Sequence, residues 1–129
     1  IENDYLNKAL KIIDRTEATV LQSGNDKHKA RIYRLRSALL LYLNDPEGFK
    51  MYLDQASEWQ DKVQDEYGGI FVDNLNGLYH KRFTKDYDLA ILYLNKAIKA
   101  ADKPEYEEQI IDIYFNITSV YYQKKDWEK

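Results

Sequence analysis

The sequence predicts an all-α chain of antiparallel helix pairs, about six helices followed by the start of a seventh. Three features lead to that fold class. Two prolines and five glycines in 129 residues leave long stretches without a break. Within those stretches apolar residues recur at the 3.6-residue period of a helix, and none sustains the alternation of a strand. An alanine-centred segment then appears three times, as stacked helical units require.

The elements follow in order. Asn3 or Asp4 is placed to cap a first helix, with Leu6, Ala9, Leu10 and Ile13 on one face, running to Arg15 or on to Leu21. Ser23 to Asp26 ends it, and Asp26 is the expected cap of a second helix over 27–43. Asn44, Asp45, Pro46 and Glu47 supply a cap, a proline at the first helical position and an acid facing the helix N-terminus. The third helix carries Phe49, Tyr52, Leu53, Ala56 and Val63. Gly68 and Gly69 mark the next expected turn, and a fourth helix with Ile70, Phe71, Leu75 and Leu78 ends near Arg82. Thr84 to Asp86 restarts a fifth helix with Tyr87, Ala90, Ile91, Leu94, Ala97 and Ile98. Asp102, Pro104 and Glu105 repeat the cap-proline-acid device for a sixth helix, with Ile110, Ile113, Ile117 and Tyr121, reaching about Lys124. Asp126 is expected to open the seventh.

Residues 5–14 (YLNKALKIID) are nearly copied by residues 93–102 (YLNKAIKAAD), with a looser copy at 52–59 (YLDQASEW). A small alanine lets two helices approach closely, and the leucine three residues earlier fills the gap beside it. In the final stretch, Tyr114, Ile117, Thr118 and Tyr121 follow the spacing aromatic, two residues, aliphatic, small, two residues, aromatic.

That spacing resembles the first helix of the tetratricopeptide (TPR) repeat, and Ala90, Leu94 and Ala97 resemble its second helix. Phe49, Leu53 and Ala56 match the same pattern, with Phe49 where a small residue is expected. Gly77, Thr118 and Ser37 stand at the small crossing position. The resemblance is strong over 75–129 and weak over 15–45. It implies an alpha-alpha superhelix, a right-handed solenoid over 1–129 cut from a longer array. The repeat-packing residues it assigns are Ala9, Ala56, Gly77, Ala90, Leu94, Ala97 and Thr118. One departure is length: the alanines lie 47 and 41 residues apart, against about 34 in the standard repeat and about 40–47 in the HEAT and armadillo rivals. Long TPR-like repeats occur in bacterial regulators whose arrays sense peptides or couple to DNA-binding or signalling domains.

Composition narrows the function. At 44% hydrophobic and 32% charged the chain is that of a folded protein rather than a disordered one. Twelve tyrosines suit half-buried positions on a thin helical stack. A net charge of −3 supplies no global field for nucleic acid or anionic lipid. The absence of cysteine excludes disulfides, thiolate catalysis and cysteine-based zinc sites. It fits the cytoplasm, the compartment we favour, and also a periplasm. The longest apolar run, Ala38 to Leu43, is far short of the ~18 residues of a membrane helix. The chain starts at Ile1, which leaves room for a removed leader or an upstream domain.

No residues carry an enzymatic reading. His28 and His80 fall on different helices, which fits two surface histidines better than a metal site. Glu105, Glu107 and Glu108 suit a helix start. Gly68-Gly69 lacks the Lys-Ser/Thr of a phosphate loop, and no cofactor motif is present. The basic run Lys27, His28, Lys29, Arg31, Arg34 and Arg36 reads as a solvated helix face. Asn116-Ile117-Thr118 fits a glycosylation acceptor but falls in a helix.

The resemblance implies a concave groove lined by the first helix of each pair. Its partner-binding candidates are Arg31, Arg34, Asn74, Lys81, Phe115, Asn116 and Tyr122, with Ala38, Leu41, Leu78, Asp112 and Ser119 beside them. Ala38, Leu75 and Asp112 stand where a C-terminal carboxylate clamp needs other residues, so carboxylate recognition is disfavoured. The expected function is a protein- or peptide-binding scaffold within a larger regulatory protein, without membrane insertion or direct nucleic-acid binding. The alternative is a self-association array, a homo-oligomer joined through its open solenoid ends.

Overall fold

The computed structural model describes the backbone of residues 2–128 and the side chains of residues 4–125. The described residues hold six α-helices and no strand: α1 (Glu2–Ser23), α2 (Asp26–Tyr42), α3 (Pro46–Val63), α4 (Glu66–Tyr79), α5 (Tyr87–Ala100) and α6 (Glu107–Glu128). A π-helical turn, His80–Thr84, follows α4, and a 3-10 turn, Pro104–Tyr106, precedes α6. The contacts divide the chain into two compact units, Ile1–Gln64 and Asp65–Lys129.

Caps start the helices. Asp45, Asp65 and Asp86 each accept a hydrogen bond from the backbone N–H three residues on, at Gly48, Gly68 and Leu89, which satisfies one of the orphan donors of a first turn. The cap of α2 is Asn25, whose Oδ1 accepts from His28 N at 3.1 Å, and the expected cap Asp26 is the first helical residue instead. Asn3 and Asp4 do not precede α1, because Glu2 is already helical; the side chain of Asn3 lies outside the described residues.

Three helix ends differ from the sequence expectation. α3 closes on Gln64 in the left-handed region, φ 51°, so the break falls at Gln64-Asp65 and Gly68-Gly69 lie inside the first turn of α4. The π-helical turn carries the chain from Tyr79 past Arg82 to Lys85, left-handed at φ 60°. α6 runs unbroken through Asp126 to Glu128, so no seventh helix opens there; the packing of Trp127 lies outside the described residues.

In the first unit α2 packs on α3, and α1 packs on α2. Ala30, Ile32, Ser37, Phe49, Leu53 and Ala56 are buried, and Ser37 Oγ donates back to Arg34 O at 2.8 Å. Arg36 links all three helices. Its guanidinium pairs with Asp14 and Glu17 of α1 and lies 5.2 Å from the centre of the Tyr52 ring on α3. Burial opposes the Arg36 charge, yet the two carboxylates outweigh it and hold its pKa above the ordinary value.

In the second unit α5 is the centre. It contacts both α4 and α6, and Ala90, Leu94, Ala97 and Ala101 are fully enclosed with Ile70, Ile113 and Val120. α4 packs tightly on α5 at Gly77. A Cβ there would stand 2.6 Å from Leu94 Cγ and 3.3 Å from Ala90 O. Burial of Leu94 contributes roughly 2 kcal/mol, and only glycine leaves the space it fills.

Two predictions follow from this packing. Gly77→Ala is expected to lower stability by about 1–2 kcal/mol, because overpacking outweighs the gain in helix propensity; urea unfolding measures it, and a raised midpoint would contradict the close approach. Arg36→Met is expected to speed amide exchange in residues 10–20 about fivefold, corresponding to about 1 kcal/mol. Exchange confined to α2 would show that the Arg36 pairs do not hold α1.

Candidate functional site

Within the second unit, α4 and α6 flank a cleft of about 130 Å³. Tyr67, Ile70, Phe71 and Asn74 line it from α4, and Gln109, Asp112 and Ile113 from α6. Positions 67, 71 and 74 share one helical face, as do 109, 112 and 116. Asn116 Nδ2 donates to Asn74 Oδ1 across the cleft at 2.9 Å. These two residues are 42 apart, and the same offset relates Tyr67 to Gln109, Ile70 to Asp112 and Phe71 to Ile113. The two walls therefore run parallel, as they must when the intervening α5 returns antiparallel to both.

The floor is apolar: Ile70 and Ile113 are buried. The Tyr67 ring lies 6.2 Å from Phe71 and 6.4 Å from Tyr106. Lys103 Nζ donates to Glu66 Oε2 at 2.6 Å. This bond and one from Tyr106 hold the Glu66 carboxyl below its ordinary value. The polar groups of the cleft are spent differently. The side chains of Gln109 and Asp112 make no hydrogen bond or ion pair among the described residues, and the Asn74–Asn116 bond leaves Asn74 Nδ2 and Asn116 Oδ1 unengaged there. The cleft thus presents a donor, an acceptor, a carboxamide and a carboxylate beside two aromatic rings.

The expected groove residues do not all gather here. Asn74 and Asn116 do. Lys81 sits in the π-helical turn, half-buried; burial first, then Arg82 and Lys85, lowers its pKa. Phe115 and Tyr122 are among the most exposed apolar side chains and line no part of the cleft. Arg31 and Arg34 belong to the first unit. Arg31 is exposed and lines a separate cleft of about 310 Å³ with Thr16, Val20, His28, Ile32 and Leu35. Arg34 is 6% exposed, so it is a buried residue rather than an open groove contact.

Among the repeat-packing candidates, Ala56, Ala90, Leu94 and Ala97 are fully buried and Gly77 meets Leu94. Ala9 is half-buried. Thr118 is exposed, whereas Val120, two residues on, is buried.

The basic run over 27–36 is dispersed. Lys29 lies 4.9 Å from the centre of the Trp59 ring, Arg34 is buried and Arg36 is paired, leaving Lys27, His28 and Arg31 exposed. His80 stacks on Tyr93 at 5.7 Å, with its Nδ1 2.9 Å from Thr84 Oγ1. Among the described residues no group of three or more His, Cys, Asp or Glu is placed to hold a metal, and no helix is long and apolar enough to cross a membrane.

Tyr67 and Gln109 are lining residues that the sequence reading passes over. Placing a turn at Gly68-Gly69 removes Tyr67 from α4, and Gln109 carries no signal beyond its helical phase with Asn116. No protein-family model, no curated protein and no solved structure matches the chain.

Asp73, beside Asn74, points the other way, 3.8 Å from Lys96 of α5. Desolvation raises its pKa against the opposing effect of Lys96. A carboxyl with a raised folded-state pKa weakens the fold when ionised, so its penalty is present at neutral pH and relieved as pH falls through the folded-state value. Asp73→Asn is expected to leave stability at pH 7 unchanged or higher and to flatten its rise on mild acidification. Unfolding midpoints between pH 4 and 7 test this, and a large loss at pH 7 would mean that the Lys96 pair dominates.

Proposed function

We propose that this chain is a TPR-like interaction module of a larger regulatory or signalling protein, and that the α4–α6 cleft binds a segment of a partner polypeptide. One observation carries the reading: the cleft's polar groups stand beside aromatic rings with their hydrogen-bonding capacity largely unused. A peptide backbone needs one acceptor for its N–H and one donor for its C=O at each unit. The asparagine pair offers both, and Tyr67 and Phe71 offer apolar area at little entropic cost. The scaffold suits this task, because α5 fixes the spacing of the two walls. The right-handed solenoid belongs to the same proposal.

The test is selection of peptides from a display library against the chain, followed by calorimetry with an Asn74→Ala, Asn116→Ala double variant. Selected peptides are expected to lose affinity about tenfold or more, as loss of two hydrogen-bonding groups implies. They are also expected to shift amides in residues 67–74 and 109–116. Unchanged affinity, or shifts confined to the α1–α2 cleft, would overturn the assignment.

A second reading has its own support. Ile111, Tyr114, Phe115, Tyr121 and Tyr122 are all more than half exposed on α6. α1 carries in residues 5–14 a near copy of the α5 segment that packs on Gly77. In this reading α1 of a second copy covers the exposed face of α6. Sedimentation at rising concentration separates the two: self-association abolished by Tyr114→Glu favours assembly, and a monomer throughout removes it.

A further inference from the structure

The end of the α4–α6 cleft walled by Tyr67, Phe71 and Asp112 has a chemistry of its own, and we propose that it receives a cationic side chain, lysine or arginine, of the bound segment. The inference rests on the cleft being a peptide site and names what that site selects.

Four observations lead to it. First, the Asp112 carboxylate is exposed and makes no ion pair among the described residues. The lysines of this unit that form ion pairs are spent elsewhere: Lys96 on Asp73, Lys103 on Glu66 and Lys124 on Asp88. An arriving cation therefore displaces no internal partner of Asp112. Second, the α4 wall of the same cleft carries aromatic rings on either side of Ile70, the residue level with Asp112. Tyr67 and Phe71 lie 6.2 Å apart at 45°, and ring faces attract an ammonium or a guanidinium. The chain already uses such contacts: Lys29 and Lys62 lie 4.9 and 4.3 Å from the centre of the Trp59 ring.

Third, the floor between carboxylate and rings is aliphatic, Ile70 and Ile113. A long basic side chain lays its methylenes on such a surface and keeps its charged head at the rim. The cleft's about 130 Å³ fits a single side chain, not a helix. Fourth, the local charge selects sign. Glu108 lies one turn before Asp112 on α6, whereas Lys81, Arg82 and Lys85 gather beyond the C-terminal end of α4. An acidic side chain or a terminal carboxylate at the Asp112 end meets like charge. The asparagine pair, one turn further along, then takes the main chain of the residue that carries the cation.

The experiment uses five synthetic peptides, acetyl-GSAXASG-amide, in which X is arginine, lysine, citrulline, norleucine or glutamate. Each is titrated into the isotope-labelled full chain while amide shifts are followed. The arginine and lysine peptides are expected to shift residues 67–74 and 109–116 and to bind about fivefold to tenfold more tightly than the citrulline peptide. Asp112→Asn is expected to bring the arginine peptide to the citrulline level, and Asp112→Glu to retain most of the preference. An unchanged circular-dichroism melt shows that neither change acts through the fold, since Asp112 is exposed. Five peptides binding alike at these residues would overturn the cationic subsite and leave the peptide site standing. Tightest binding by the glutamate peptide, or no shift with any of the five, would also overturn it. The peptide site itself is judged by the selected peptides and the asparagine variants.

Discussion

The second unit depends on one close approach, that of α4 and α5 at Gly77. Because no Cβ occupies that point, Leu94 seats against the α4 backbone and the flanking alanines close on it. α5 then presents Ile91, Ile98 and Ala101 to the cluster that holds Ile110, Ile113 and Ile117 of α6. The spacing of the two cleft walls is thus set by a helix that lines neither of them. A methyl group at position 77 would press on Leu94 and the α5 backbone, and so on the helix that spaces the two walls.

That dependence also explains why the cleft keeps unused polar groups. Elsewhere in the unit, carboxylates at helix contacts have lysines: Asp73 with Lys96, Glu66 with Lys103, Asp88 with Lys124. Such solvent-accessible pairs contribute little each, but they link α4 with α5, the start of the 3-10 turn with α4, and α6 with α5. Asp112 and Gln109 tie nothing together. Their groups are solvated at little cost because the cleft is open, and the same openness makes them accessible to a ligand. In the proposed site, binding would exchange water for peptide, with strength drawn from the rings and the aliphatic floor and selectivity from the carboxylate and the asparagine pair.

How much of this is legible in the sequence varies with the local physics. Asp45 and Asp86 announce their helices because a short carboxylate before a helix has one strong use, whereas Asp65, the cap of α4, goes unread beside the Gly68-Gly69 pair. Pro46 announces α3 for the same kind of reason. The end of α3 is hidden, because Gln64 adopts the left-handed region without being glycine or asparagine. The nearest glycines, 68 and 69, attract the boundary to themselves and hide Tyr67. Asp126 looks like a fresh cap, yet Lys124, Lys125 and Asp126 are all helix-compatible, and α6 runs on through them to Glu128. The alanine and leucine positions of α5 are readable from the internal copy at 5–14. The exposure of Thr118 and the burial of Arg34 are not, because both depend on which face a neighbouring helix covers. The asparagine pair is half legible: both residues stand out by helical phase, but only the 42-residue parallel register puts them in contact.

The central claim is that a ligand polypeptide lies between α4 and α6 against the rings and beside the asparagines. The most direct measurement is an isotope-filtered nuclear Overhauser spectrum of the labelled chain with a bound selected peptide. The account predicts cross-peaks from the peptide to the side chains of Tyr67, Phe71 and Ile113 and to the carboxamide protons of Asn74. Cross-peaks confined to Phe115 and Tyr122 on the outer face of α6, with none to the cleft, would contradict it.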